Sequence, residues 1–115
     1  MPFFLTQWVY KDAQVRAMIM KPEDRGEIVR VATEAFNGKL LHFFFCLGSF
    51  DGLSISEFPD NETYLACVMS IVGEGRLAAV HSTTLLTPEE GQRAMQKAYN
   101  TIAAPSTESR SAPAE

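Results

Sequence analysis

The sequence has little of what marks a membrane, secreted or nucleic-acid-binding protein. It contains no uninterrupted run of about 18 apolar residues, so a membrane span is not expected. Its start, MPFFLTQWVYKD, lacks the basic segment and the long apolar run of a secretion signal. The 10 Lys and Arg residues are outnumbered by 14 Asp and Glu and form no stripe, which removes the basic footprint of a nucleic-acid-binding surface. We therefore expect a cytoplasmic protein with no nucleic-acid and no membrane partner.

The sequence has only two cysteines and no cofactor-binding motif. The two cysteines, Cys46 and Cys67, fall in segments predicted to be core, which favours buried thiols over a disulfide. The chain has no Walker loop, no dinucleotide fingerprint and no Gly-x-Ser-x-Gly elbow. His and Cys residues do not recur at the spacing of a zinc site. We expect no cofactor and no metal, and no motif identifies a reaction.

What is present is the composition of a folded domain, with 46% hydrophobic and 21% charged residues in 115. We expect one domain over residues 1–103. The remaining residues, 104–115, contain no aromatic or large aliphatic side chain, so we expect a disordered tail there.

Alternation and capping signals predict the elements. The predicted strands cover residues 3–10, 40–47, 50–58 and 77–86, and the predicted helices cover 12–36, 61–72 and 88–102. The first helix is expected to start with Asp12 as its cap and to be interrupted and restarted at Pro22. This order predicts an α+β, ferredoxin-like βαββαβ fold with a four-stranded antiparallel sheet and an extra C-terminal helix.

The hairpin formed by the second and third strands is expected at the centre of the sheet, with a turn in which Gly48 can adopt a positive φ. One face of the third strand has unusually small side chains at its centre. Its residues are Phe50, Gly52, Ser54, Ser56 and Phe58. Right-handed crossovers place the two main helices on one face of the sheet. The other face is partly apolar and needs a cover, which predicts association of two copies sheet to sheet.

Four segments together resemble the GYD-domain family of small bacterial proteins: Gly38-Lys39-Leu40, Leu47-Gly48-Ser49-Phe50-Asp51, Glu57-Phe58-Pro59-Asp60 and Leu86-Thr87-Pro88-Glu89-Glu90. The family's Gly-Tyr-Asp motif falls on Gly48, Phe50 and Asp51, with Ser49 intervening and Phe in place of Tyr. The resemblance implies a dimeric α/β-barrel assembly, in which two four-stranded sheets pack face to face, and no settled activity. It also implies bulkier apolar residues in relatives where this chain has Ser54 and Ser56, which would enlarge a cavity here.

Candidate ligand-binding residues for a small apolar molecule are Trp8, Phe44, Phe50, Ser54 and Ser56, expected in a pocket between the sheet and its partner. Their aromatic members can equally be ordinary core. Candidate catalytic residues are His42, Asp51 and His81. The alternatives for these three are packing of the histidines and a structural role for Asp51 in the hairpin.

Three functions are therefore open: a small-molecule-binding homo-oligomer, a cofactor-independent enzyme of the monooxygenase or isomerase type, and an assembly module without a ligand. Only fold analogy supports the enzyme. An enclosed cavity with an inward-pointing histidine and a second polar group would favour the enzyme, and an apolar cavity would favour the binding protein. An interface with no cavity would favour the assembly module.

Overall fold

The structure, a computed structural model, describes residues 1–103, so the predicted tail at 104–115 lies outside the described residues. The chain divides into two compact units, Met1–Leu85 and Leu86–Glu115. They are described separately below, and the expectation of one domain over residues 1–103 stays a prediction.

The first unit has the order of elements that the sequence predicts, with the first helix divided in two. It contains β1 (Phe3–Tyr10), α1 (Asp12–Met20), α2 (Arg25–Ala35), β2 (Lys39–Phe45), β3 (Gly52–Glu57), α3 (Asn61–Val72) and β4 (Leu77–Leu85). The strands form one antiparallel sheet in the order β2-β3-β1-β4. This confirms the α+β class and is consistent with a ferredoxin-like fold. The hairpin is not the centre of the sheet, because β2 is an edge strand and β1 lies beside β3.

Helix starts follow local capping, with two differences from expectation. The Asp60 carboxylate accepts a hydrogen bond from the Thr63 N–H at the start of α3, as predicted. α2 begins at Arg25 rather than at Pro22, because Asp24 supplies the cap by accepting from the Glu27 N–H. Asp12 does not cap α1, whose N-cap is Lys11 with no side-chain hydrogen bond.

A bulge in β2 changes which of its side chains share a face. Leu40 pairs with Ser56, but the next paired residue is His42, opposite Ile55. The extra residue, Leu41, shifts the alternation by one position. As a result Leu40 shares a face with Phe43, whereas unbroken alternation placed it with His42.

The loop between β2 and β3 also differs from the expected turn. The Cys46 N–H donates to the Asp51 carbonyl at 2.8 Å and closes a loop. Gly48 does not use a positive φ; within residues 1–103 only Asn37 and Gly75 have one. Asn37 ends α2 as the sequence predicts.

The core lies between α2, α3 and one face of the sheet, which we call the inner face. Buried Phe4 and Phe58 pack there against Tyr64 and Cys67 of α3. The Phe4 and Tyr64 rings are stacked with centroids 3.9 Å apart. The opposite, outer face carries the half-buried side chains of Leu5, Gln7, Val9, Leu53 and Ile55.

Both cysteines are free thiols, as the sequence indicates, but only Cys67 is fully buried. Cys46 is half-buried because it follows the edge strand β2. Burial raises the pKa of the Cys67 thiol to about 11. Cys67 is therefore a packing residue and is protonated at neutral pH.

The second unit contains α4, Pro88–Ile102. Its start is the predicted capping box: the Thr87 side chain accepts from the Glu90 N–H, and the Glu90 carboxylate accepts from the Thr87 N–H at 2.8 Å. No helix within residues 1–103 is both long enough and apolar enough to cross a membrane.

Candidate functional site

A cavity of about 200 Å³ lies in the first unit between the inner face of the sheet, α2 and α3. Its wall is mainly aliphatic and aromatic. The apolar side chains that line it are Trp8, Ile28, Val29, Ala32, Phe58, Val68, Ile71, Val72, Leu77 and Val80. An apolar hollow of this kind, with a few polar groups at fixed positions, is typical of a small-molecule site.

The cavity exists because two residues of β3 have small side chains. Ser54 and Ser56 are buried, point to the inner face and line the cavity. They pair with Thr6 and Phe4 of β1, so their side chains project beside larger ones at the middle of the sheet. Leucine or phenylalanine at these two positions would fill the volume that the serines leave.

Tyr64 joins two hydroxyl groups of the inner face of the sheet, those of Thr6 and Ser82. Its hydroxyl donates to the Ser82 Oγ at 2.7 Å and lies 2.7 Å from the Thr6 Oγ1. The stacking on Phe4 holds the ring in one orientation. These neutral hydroxyls satisfy one another, so they supply orientation rather than acid or base chemistry.

Four polar side chains also line the cavity: the neutral amide Gln14 and the charged Arg25, Glu74 and Arg76. Glu74 pairs with Arg76, whose Nη1 is 3.4 Å from its carboxylate. The Arg25 side chain is only 16% exposed, and its buried Nε has no hydrogen-bond partner among the residues that the structure describes.

Sequence reasoning did not identify Arg25 as a site residue. One signal was available: an arginine at the first position of a helix opposes the helix dipole, which favours acidic residues there. Sequence reasoning gave the Tyr64 hydroxyl no role either, since its partners Thr6 and Ser82 come from two strands that are distant from it in sequence.

The five predicted ligand-binding residues do not share one site. Trp8, Ser54 and Ser56 line the cavity. Phe44 pairs with Leu53 and lies on the outer face. Phe50 contacts His81 on that face, with ring centroids 5.0 Å apart, because β3 begins only at Gly52 and its alternation does not extend to Phe50. The cavity with Trp8, Ser54 and Ser56 lies within one chain, on the face covered by α2 and α3, and not between the sheet and a partner, where the sequence predicts it. A pocket between the sheet and a partner stays a prediction.

None of the three candidate catalytic residues lines the cavity. His42 and His81 are exposed on the outer face, on the edge strands β2 and β4. Three strand spacings separate these edges, which corresponds to about 14 Å. The Asp51 carboxylate accepts a hydrogen bond from the Tyr10 N–H at 2.8 Å, and the Asp51 N–H donates to the Trp8 carbonyl at 2.8 Å. Asp51 therefore ties the loop to β1.

Comparisons with known proteins identify a family and a similarity to solved structures. The sequence profile of the GYD domain matches residues 4–95. No curated protein matches the sequence. Among solved structures, a crystal structure of the Arabidopsis thaliana protein At3g17210 is similar, with 12% identity and a TM-score of 0.49; the match covers 76% of this chain and 95% of that chain.

Proposed function

The chain belongs to the GYD domain family, and since membership alone assigns no reaction, we propose from the cavity that it is a small-molecule-binding protein. The observation that carries this proposal is the apolar cavity over Ser54 and Ser56. Among the described residues, none of those that line it is a histidine, and the hydroxyls of Thr6 and Tyr64 at its wall hydrogen-bond to each other. These features support binding over proton-transfer chemistry at this position.

The volume of the cavity limits the size of the ligand. An apolar protein cavity of about 150 Å³ accepts benzene. The cavity of about 200 Å³ therefore suits one substituted aromatic ring or an aliphatic chain of similar bulk. Trp8 lines it and is the only tryptophan in the chain, so its fluorescence reports directly on occupancy.

The test is titration of the full-length protein with toluene and with benzyl alcohol, followed by Trp8 fluorescence and by NMR. Ser54→Leu and Ala32→Leu each fill the cavity, from the sheet and from α2 respectively. Thr83→Leu is the matched control, because Thr83 pairs with Leu5 on the outer face. We expect the wild type and Thr83→Leu to bind, and the filled variants to lose at least tenfold in affinity. Equal binding by all four folded proteins would overturn the proposal.

We propose in addition that two copies associate through the outer face. Supporting this is a row of half-buried apolar side chains at the centre of that face, including Leu5, Leu53 and Ile55, with Phe44 beside them on β2 and 58% exposed. An apolar sheet face of this kind is stabilised by a second sheet packed against it.

Two phenylalanines of β2 offer a matched test of the association. Phe44 is 58% exposed on the outer face, and Phe45 is 59% exposed on the inner side of the same strand. We expect native mass spectrometry to give a dimer or larger species for the wild type and for Phe45→Glu, and a monomer for Phe44→Glu. A monomeric wild type would exclude the association. The same spectra reveal any ligand retained on purification.

An enzyme using His42, His81 or Asp51 stays an alternative supported by fold analogy alone. An assembly module would give a stable dimer that binds none of the probes.

A further inference from the structure

Arg25 lines the cavity with a mostly buried side chain. Its side chain is 16% exposed, and its Nε–H is removed from water without an acceptor among the described residues. A buried donor left unpaired carries a desolvation penalty, so it is expected to have a partner in the functional state.

The acidic groups around Arg25 do not supply that partner. Asp24 precedes it in sequence, but its carboxylate accepts from the Glu27 N–H at 3.1 Å. Glu23 approaches only the Arg25 Nη1, at 4.0 Å, which is beyond hydrogen-bond distance. Glu74 lines the same cavity and pairs with Arg76.

We propose that the ligand is a small carboxylate, with one aromatic ring or a short aliphatic chain, whose carboxylate pairs with the guanidinium of Arg25, a lining residue of the cavity. This inference rests on the proposed function, because it assigns the class of ligand for the same cavity. The apolar body lies against the aliphatic wall. The carboxylate meets the guanidinium, whose planar edge matches two carboxylate oxygens.

The size and polarity of the site favour a carboxylate over a phosphate. A phosphate group presents more charge and more oxygens than one arginine edge satisfies. The other arginine at this cavity, Arg76, is already paired with Glu74. The remaining lining is mostly apolar, which suits a ligand with a single charged end.

The test compares acids with their near-isosteric amides: benzoate with benzamide, and phenylacetate with phenylacetamide. Each is titrated at neutral pH into the full-length wild type, Arg25→Gln and Arg16→Gln, followed by Trp8 fluorescence and by calorimetry. Arg16 is the matched control, since it is an exposed arginine of α1 that does not line the cavity.

We expect the wild type and Arg16→Gln to bind the acids about tenfold to a hundredfold more tightly than the amides, as one charge-assisted hydrogen bond implies. Arg25→Gln should lose this preference and keep its affinity for the amides. Equal binding of acid and amide by the wild type, or a preference that survives in Arg25→Gln, would overturn the inference and leave the proposed function standing. If neither the acids, the amides nor the neutral probes bind, both fail.

Discussion

Gly52 is the position where one added methyl group has the most definite consequence. It begins β3 and pairs with Trp8 across the sheet. A Cβ atom at Gly52 would lie 2.7 Å from the indole Cε2 and Cζ2 and 2.9 Å from Nε1. Real Cβ atoms are essentially never that close, so Gly52→Ala must displace the Trp8 ring. Trp8 is buried and lines the cavity, so the cavity offers the space into which the ring can shift.

The size of the effect follows from two opposed contributions. Overpacking a close-packed site costs about 1–3 kcal/mol. Replacing a glycine that has no positive φ returns about 0.4–1 kcal/mol by lowering the conformational entropy of the unfolded chain. We expect a net loss of about 1–2 kcal/mol in the free energy of unfolding, and each kcal/mol lowers Tm by about 4–8 °C in a domain of this size.

Chemical and thermal denaturation followed by the fluorescence of Trp8, the only tryptophan, measures both the stability and the ring environment. Gly48→Ala is the control, because a Cβ there meets nothing within 4 Å and Gly48 has no positive φ. It should be neutral or stabilising by up to about 1 kcal/mol. A Gly52→Ala protein with wild-type stability and an unchanged emission spectrum would refute the packing argument.

Three further experiments test other parts of the structure. Tyr64→Phe leaves two hydroxyl groups of the sheet without their shared partner, and we expect a loss of about 1–2 kcal/mol in denaturant unfolding; an unchanged midpoint would contradict the network. A thiol reagent at neutral pH should modify Cys46 before Cys67, since burial holds the pKa of Cys67 at about 11, and mass spectrometry of digested protein identifies the site. Equal rates would show that Cys67 is accessible. Asp24→Ala should cost about 1 kcal/mol by removing the cap of α2, whereas Asp12→Ala should cost less than about 0.5 kcal/mol because Asp12 caps nothing; comparable losses would argue against the caps described here.

A site residue could be predicted from the sequence where its role depends on neighbours in the chain, and not where it depends on residues distant in sequence. Ser54 and Ser56 were identified because a small face in a strand is visible in the alternation of the sequence. Trp8 was selected as one aromatic residue among several. Phe44 and Phe50 do not line the cavity. Phe44 pairs with Leu53 on the outer face, and because β3 begins only at Gly52, its alternation does not fix the direction of Phe50.

Arg25 shows more clearly which features of the site cannot be predicted from the sequence. Its residue type and its place at a helix start are both visible in the sequence. That its Nε lacks an acceptor depends on where α2, α1 and the segment after α3 meet, because α1 provides Gln14 and that segment provides Glu74 and Arg76.

By itself, the sequence determined the local structure. The caps at Asp60 and Thr87, the end of α2 at Asn37 and the alternation of β1 each depend on residues a few positions apart, which interact whatever the rest of the chain does. Tertiary structure alone decided the strand order, the shifted register of β2 and the division of the predicted ligand residues between two faces. These depend on contacts between residues distant in sequence, and a shift of one position in a strand exchanges its faces at no cost to local propensity.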